Sequence, residues 1–265
     1  MTMDTNNMSY IHPDAKIGKN VVIEPFCYIA ANVEIGDGCH IGPNATIYEY
    51  VRMGRDCQVF PGAVIGAIPQ DLKFDGEESW VEIGDRTTIR ECATINRGTA
   101  ASGKRLTKIG NDCLIMSYAH IAHDCNIGDH CIVVSHVGLA GEADLGEWAI
   151  VGGGTMVHQF CRIGAHAMLG GASATNKDIP PFILSAGNHA IYEGINAIGL
   201  RRRGFSNAEI EEIKSVYKII YEENNNVSDA LRVIDELYPD GKHAKVITDF
   251  IRASKRGICK RSGTE

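Results

Sequence analysis

The stretch IHPDAKIGKNVVIEPFCYI, from Ile11 to Ile29, carries an isoleucine at every sixth position: Ile11, Ile17, Ile23 and Ile29. The beat continues without a slip through Ile35, Ile41, Ile47, Met53, Val59 and Ile65. It returns at Ile83, Ile89 and Ile95, then runs unbroken from Ile109 through Ile121, Leu139 and Val157 to Leu169. A fixed internal period dictates the fold before any local propensity does. Six is not a helical spacing, which would put apolar residues three and four apart, nor simple strand alternation, which repeats every two.

The residue four places after each beat is small, as at Ala15, Val21, Cys27, Val33, Cys39 and Ala45. Glycine often follows the beat directly, as at Gly18, Gly36, Gly42, Gly110, Gly128 and Gly164. Small residues allow sharp turns and close backbone approach. Each hexad therefore reads as one short strand and one corner, and three hexads close a triangular coil of 18 residues. Coils stacked by parallel strand pairing at about 4.8 Å bury the aliphatic row continuously. The 24 beats predict about eight coils and a prism roughly 38 Å long. The pattern resembles the left-handed parallel β-helix of hexapeptide repeats; the hand is implied by that resemblance and not by the spacing.

A chain of 265 residues has room for one solenoid and a small appendage. No run of about 18 apolar residues exists, and Met1 to Tyr10 lacks an apolar signal core. A cytoplasmic protein with no membrane span is expected. Seven of the nine cysteines fall on the small slot after a beat, which predicts reduced thiols with a packing role and not metal ligands. The net charge of −7 argues against nucleic acid as the main partner.

Departures from the beat mark insertions. Residues 67–80 break the first run and residues 96–108 the second. Loops leaving a rigid scaffold are where binding residues concentrate. After Asn176 the beat dissolves, with one more ragged coil expected over Phe182 to His189. Residues 1–191 are thus expected to form the prism and residues 192–265 a small helical domain. In the latter, Ser206 and Glu209 make a capping box, Ser228 reads as the next cap, and Val246, Ile247, Phe250 and Ile251 mark a last helix.

The densest polar cluster is His120, His123 and Asp124 around the inward beat Ile121. An 18-residue coil stacks His123, Gly141 and Gln159 in one column, with His158 beside them. A histidine next to a bare glycine N–H pairs a general base with an oxyanion donor, as acyl transfer to a hydroxyl requires. Asp124 is placed to orient the imidazole. His12, His40, His130, His136, His166 and His243 read as polar residues on exposed walls.

Several motifs resemble one family closely: Ala119–Cys125 (AHIAHDC), Gln70–Lys73 (QDLK), Val157–Phe160 (VHQF), Gly187–Ala190 (GNHA) and Gly199–Phe205 (GLRRRGF). They match the bacterial acyl-acyl-carrier-protein–UDP-N-acetylglucosamine O-acyltransferases, which begin lipid A synthesis. The likeness runs from about Ile11 to about Gly257. It implies a homotrimer with active sites between prisms, and transfer of an (R)-3-hydroxyacyl chain from acyl carrier protein to the 3-hydroxyl of UDP-N-acetylglucosamine. It implies His123 as base, Asp124 as its partner and the Gly141 N–H as oxyanion donor. Gln70, Asp71 and Lys73 would hold sugar and phosphate. His120, His158, Gln159 and His189 would contact substrate or acyl chain, and Asn196, Arg202 and Arg203 the nucleotide or the carrier protein. Gly171 falls where the family sets chain length. Glu142 departs from the histidine that many members carry after the oxyanion glycine.

The thioester donor is already activated, so neither metal nor other cofactor is expected. Two other hexapeptide enzymes and one non-enzyme fit less well. The N-acyltransferase of the same pathway carries an extra domain before the repeats, whereas here the beat starts at Ile11. A γ-class carbonic anhydrase lacks the Lys73 loop and the helical tail. An ice-binding solenoid needs flat threonine-rich faces.

Overall fold

The computed structural model describes residues 8–223 and 226–261. Three parallel sheets form the sides of a prism. The first has nine strands, from Tyr10–Ile11 to Ala174–Thr175, and the second eight, from Lys16–Ile17 to Arg162–Ile163. The third has ten, from Val22–Ile23 to Ile191–Ile195. Register follows the beat: Ile11 pairs with Ile29, Ile29 with Ile47 and Ile121 with Leu139, one coil being 18 residues. From Ile29 to Leu169 every beat residue is at most 5% exposed.

The eight coils of the beat are followed by the ragged ninth that was expected, but it starts at Ala174 and not at Phe182. The ninth is Ala174–Thr175, then Ile179 bridged to Ile163, then Ile183–Ala186 paired with Met168–Leu169. Its beat is hard to see because Thr175, a polar residue, occupies a buried position and the hexad spacing has slipped.

The small slots hold more than packing volume. The thiols of Cys39, Cys57, Cys113 and Cys131 each lie 3.1 Å from a glycine carbonyl of the next coil. Thr87 and Thr155 occupy the same slot and donate to the same kind of carbonyl at 2.8 and 2.9 Å. The slot thus requires a small side chain, and where that side chain has a donor the glycine carbonyl accepts from it.

The corners have a repeating economy. Ladder bonds between coils use the N–H groups one before, one after and three after each beat, as in Tyr28→Ala45, Ala30→Ile47 and Asn44→Pro25. The N–H two after the beat takes no part, except at Arg97 beside the insertions, which donates to the Ala67 carbonyl at 3.0 Å. Proline, which has no N–H, fills that slot at Pro13, Pro25, Pro43, Pro61 and Pro181. On the corner leaving the second sheet, side-chain carboxylates and amides of the next coil capture it instead, as in Lys19 N–H to Asp37 and Asn111 N–H to Asp129.

Both insertions leave the corner between the first and second sheets. Their ends zip together: Val64–Ala67 pairs with Thr94–Asn96 and Trp80–Ile83 with Leu106–Ile109. The irregular segments are therefore shorter than the breaks in the beat.

The strand Ile191–Ile195 folds back antiparallel on Ile183–Ala186. Four helices follow: α1 (Ala197–Arg202), α2 (Asn207–Tyr221), α3 (Val227–Leu237) and α4 (Lys242–Arg252). Ser206 and Glu209 form the capping box at the start of α2. The cap of α3 is Asn226 and not Ser228, because Asn226 is extended and its side chain accepts from the Asp229 N–H. Two histidines expected on the surface are buried, His166 at 9% and His243 at 5% exposure. Stacked rings run along one corner from His130 through Trp148 and His166 to Phe182, where Phe205 and His243 close over them. This cluster joins the helices to the prism. Among the described residues no helix is long and apolar enough to cross a membrane.

Candidate functional site

His123 stands two places after the beat Ile121, at the corner under both insertions. Its Nδ1 lies 2.8 Å from Oδ2 of Asp124. Asp124 is fully buried and takes the left-handed backbone conformation, φ 59°, which Asp tolerates better than most residues. Its carboxylate is enclosed by the second insertion: it accepts from the Thr99 N–H at 3.0 Å, the Thr99 hydroxyl at 2.7 Å and the Ser102 hydroxyl at 2.7 Å. Burial pushes the Asp124 carboxyl up, but hydrogen bonds from His123, Ser102 and Thr99 outweigh it and hold the group below the ordinary carboxylate range. An ionised Asp124 can only accept, so Nδ1 of His123 carries the proton and Nε2 presents its lone pair outward.

The hydrogen bond that His123 donates to Asp124 raises the His123 pKa against burial, and the charges of Asp124, Asp71 and Glu142 add to the rise. Asp71 Oδ2 lies 4.0 Å from Nε2. His120 behaves oppositely: burial, then the neighbouring His123, lower its pKa. Its Nδ1 meets the Thr94 hydroxyl at 2.8 Å.

Gly141 is one coil beyond His123, as Glu142 N–H to His123 O at 3.0 Å records. A Cβ on Gly141 would lie 2.5 Å from His123 Nε2, so only glycine lets the ring lie across this corner. Its N–H is the spare donor of the corner and meets no acceptor among the described residues. His123 Nε2 and Gly141 therefore lie side by side at this corner.

Two cavities meet there. One, of about 570 Å³, runs over the first sheet between His120, Gly138, Ala140, Met156, His158 and His189 and is mostly apolar. The other, of about 660 Å³, lies under the first insertion and is lined by Asp71, Lys73, Thr99, Glu142 and Gln159. Gln70, His123 and Gly141 line both.

Of the residues singled out in the sequence, the fold gathers Gln70, Asp71, Lys73, His120, His123, Asp124, Gly141, His158, Gln159 and His189 at this junction. Gly171, Asn196, Arg202 and Arg203 line neither cavity. Asn196 is buried; its side chain caps α1 through the Gly199 N–H and donates to the His166 carbonyl at 3.0 Å. Arg203 lies over the Trp148 ring and reaches His166 Nδ1 at 3.4 Å. Arg202 is exposed at the end of α1, and Gly171 is on another corner. Sequence reading missed Thr94, Thr99, Ser102 and Met156. The pair Thr99 and Ser102, three apart in an insertion, was the available signal. No group of three His, Cys, Asp or Glu among the described residues is arranged to hold a metal ion.

Stacked hexads define the class of hexapeptide-repeat proteins, and the model for bacterial transferase hexapeptides matches residues 9–49 and 106–141. The model described as UDP N-acetylglucosamine O-acyltransferase, domain 2, matches residues 178–259. An acyl-acyl-carrier-protein–UDP-N-acetylglucosamine O-acyltransferase from Sulfurihydrogenibium is 58% identical over 95% of this chain and 94% of its own. One from Chlorobaculum parvum is 55% identical over 94% and 97%. The crystal structure of a UDP-N-acetylglucosamine acyltransferase from Bacteroides fragilis matches with TM-score 0.94 and 50% identity, over 98% of this chain and all of that one. The chain belongs to the UDP-N-acetylglucosamine O-acyltransferase family. It is an acyltransferase with the left-handed parallel β-helix of hexapeptide repeats and a small helical C-terminal region.

Proposed function

We propose that the protein transfers an (R)-3-hydroxyacyl chain from acyl carrier protein to the 3-hydroxyl of UDP-N-acetylglucosamine, the first step of lipid A synthesis. The observation that carries this reading is the meeting, at His123 and Gly141, of a mostly apolar cavity with a second one that carries the charged and amide side chains Asp71, Lys73, Glu142 and Gln159. Two substrates of unlike polarity need two such spaces and one shared reacting point.

The sugar nucleotide occupies the cavity under the first insertion, with Lys73, Gln70, Asp71 and Gln159 on its polar groups. The acyl thioester enters the apolar cavity past His120, His158 and His189. His123 Nε2 takes the proton of the sugar 3-hydroxyl as its oxygen attacks the thioester carbon. The carbonyl oxygen becomes an oxyanion and accepts from the Gly141 N–H. As the tetrahedral centre collapses, the C–S bond breaks and His123 returns the proton to the leaving thiol. Asp124 stays ionised throughout and stabilises the imidazolium. No step requires a metal or other cofactor.

The same reading makes the enzyme cytoplasmic and homotrimeric. Gly171 and Arg202, which line neither cavity of their own chain, would reach the site from a neighbouring copy, where Gly171 leaves room for a long acyl chain. Mass spectrometry of products from UDP-N-acetylglucosamine and a mixture of (R)-3-hydroxyacyl carrier proteins tests the reaction. An O-acylated sugar nucleotide is expected. A well-folded protein giving none would mean a different acceptor, and amine-bearing sugar nucleotides would be tried next.

A further inference from the structure

The apolar cavity has a floor of one column on the first sheet. His120, Gly138, Met156 and Ala174 line it in register on successive coils, about 4.8 Å apart, and Thr94 precedes them in the same column outside the cavity. Thr94 and His120 are tied together by their hydrogen bond. Gly138 has no side chain and leaves a notch. Met156 is 56% exposed, and its Sδ lies 2.6 Å from where a Cβ on Gly138 would stand. The thioether therefore lies down in the notch. Ala174 beyond it is too small to hold it up.

An acyl chain whose thioester carbon sits at Gly141 must cross this column to stay in the apolar cavity. An unbranched thioether with three rotatable bonds and open space above it is the adaptable element of such a floor. The fixed elements, Gly138, Ala140 and Ala174, cannot adjust. We infer that Met156 is a specificity-determining residue for the acyl donor, its side chain in the Gly138 notch setting the depth of the cavity and so the acyl length preferred. This rests on the reading of the apolar cavity as the acyl site. It involves no group that touches the sugar nucleotide.

Two substitutions should act in opposite directions. Met156→Ala empties the notch and deepens the cavity. Gly138→Ala fills the notch, since its Cβ displaces the Met156 sulfur, and lifts the thioether into the cavity. The test is competition among (R)-3-hydroxyacyl carrier proteins of several chain lengths, with the full-length chain and product masses as the readout. Met156→Ala should raise the ratio of long to short product by about tenfold or more, the scale of a methylene or two in an apolar pocket. Gly138→Ala should lower it. KM for UDP-N-acetylglucosamine should stay unchanged in both. A Met156→Ala ratio within twofold of the unsubstituted protein would overturn the inference, whether or not Gly138→Ala folds. Unsubstituted protein that makes no acylated sugar nucleotide would instead bring down the reaction itself, and the inference with it.

Discussion

The setting of His123 depends on what three other residues give up. Gly141 gives up a side chain, Asp124 gives up solvent, and Thr99 gives its backbone and side-chain donors to Asp124. The histidine and the glycine were legible in the sequence, since an 18-residue coil stacks them whatever else the chain does. Thr99 and Ser102 were not, because an insertion has no period from which to read direction. His123→Ala should lower kcat by about 10²–10⁴-fold with an unchanged thermal midpoint; full activity would remove His123 as base. The pH profile has a definite sign. A raised His123 pKa keeps the ring protonated to higher pH than the ordinary 6.5, so kcat/KM should climb through a shifted limb and level off above it. Asp124→Asn removes the largest cause of the rise. Its residual activity should have that limb at lower pH, and a limb that stays put would show that Asp124 does not set it.

At the scale of elements, the second insertion is a clamp on Asp124 rather than a substrate loop alone. Thr99→Val combined with Ser102→Ala should lower kcat while leaving KM for the sugar nucleotide nearly unchanged. It should add nothing in a His123→Ala background; an additive loss there would mean that the loop acts independently of the histidine. Helix α1 divides two arginines that look alike in sequence. Arg202 is exposed and Arg203 lies over Trp148. Arg202→Glu should raise KM for acyl carrier protein without loss of stability. Arg203→Glu should lower the melting temperature, because it removes a cation over an aromatic ring and leaves an acid near buried rings. Equal behaviour of the two variants would contradict this division. Side-chain direction in a six-residue helix is not readable from spacing, which is why the sequence treated both alike.

For the whole molecule, the beat gave sheets, register and core almost completely, since one aliphatic position per hexad settles which side chains point inward. It did not give the junction between prism and helices. His166 and His243 are polar residues inside an aromatic cluster, and burial by tertiary contact leaves no periodic trace. Burial, then Arg203 and His243, lower the His166 pKa to about 4. The folded form thus resists protonation that the unfolded chain accepts near 6.5. Its contribution to stability is present above about pH 6.5 and is lost as pH falls towards 4. The thermal midpoint should drop across that window, and His166→Phe should flatten the drop; an unaltered acid profile would assign the loss to other groups.

The proline-tolerant corner has a consequence for how such a catalyst could arise. Every coil of the prism has a backbone position that contributes nothing to cohesion, so a donor recruited there was never needed to hold the protein together. The scaffold resembles a rack of identical empty sockets, one set per 18 residues. The socket at Gly141 differs from its neighbours in the histidine one coil before it, in the bare glycine that lets that ring lie across the corner, and in the overhanging insertions. Relocating the reaction by one coil would mean moving these together, with the hydrophobic interior untouched.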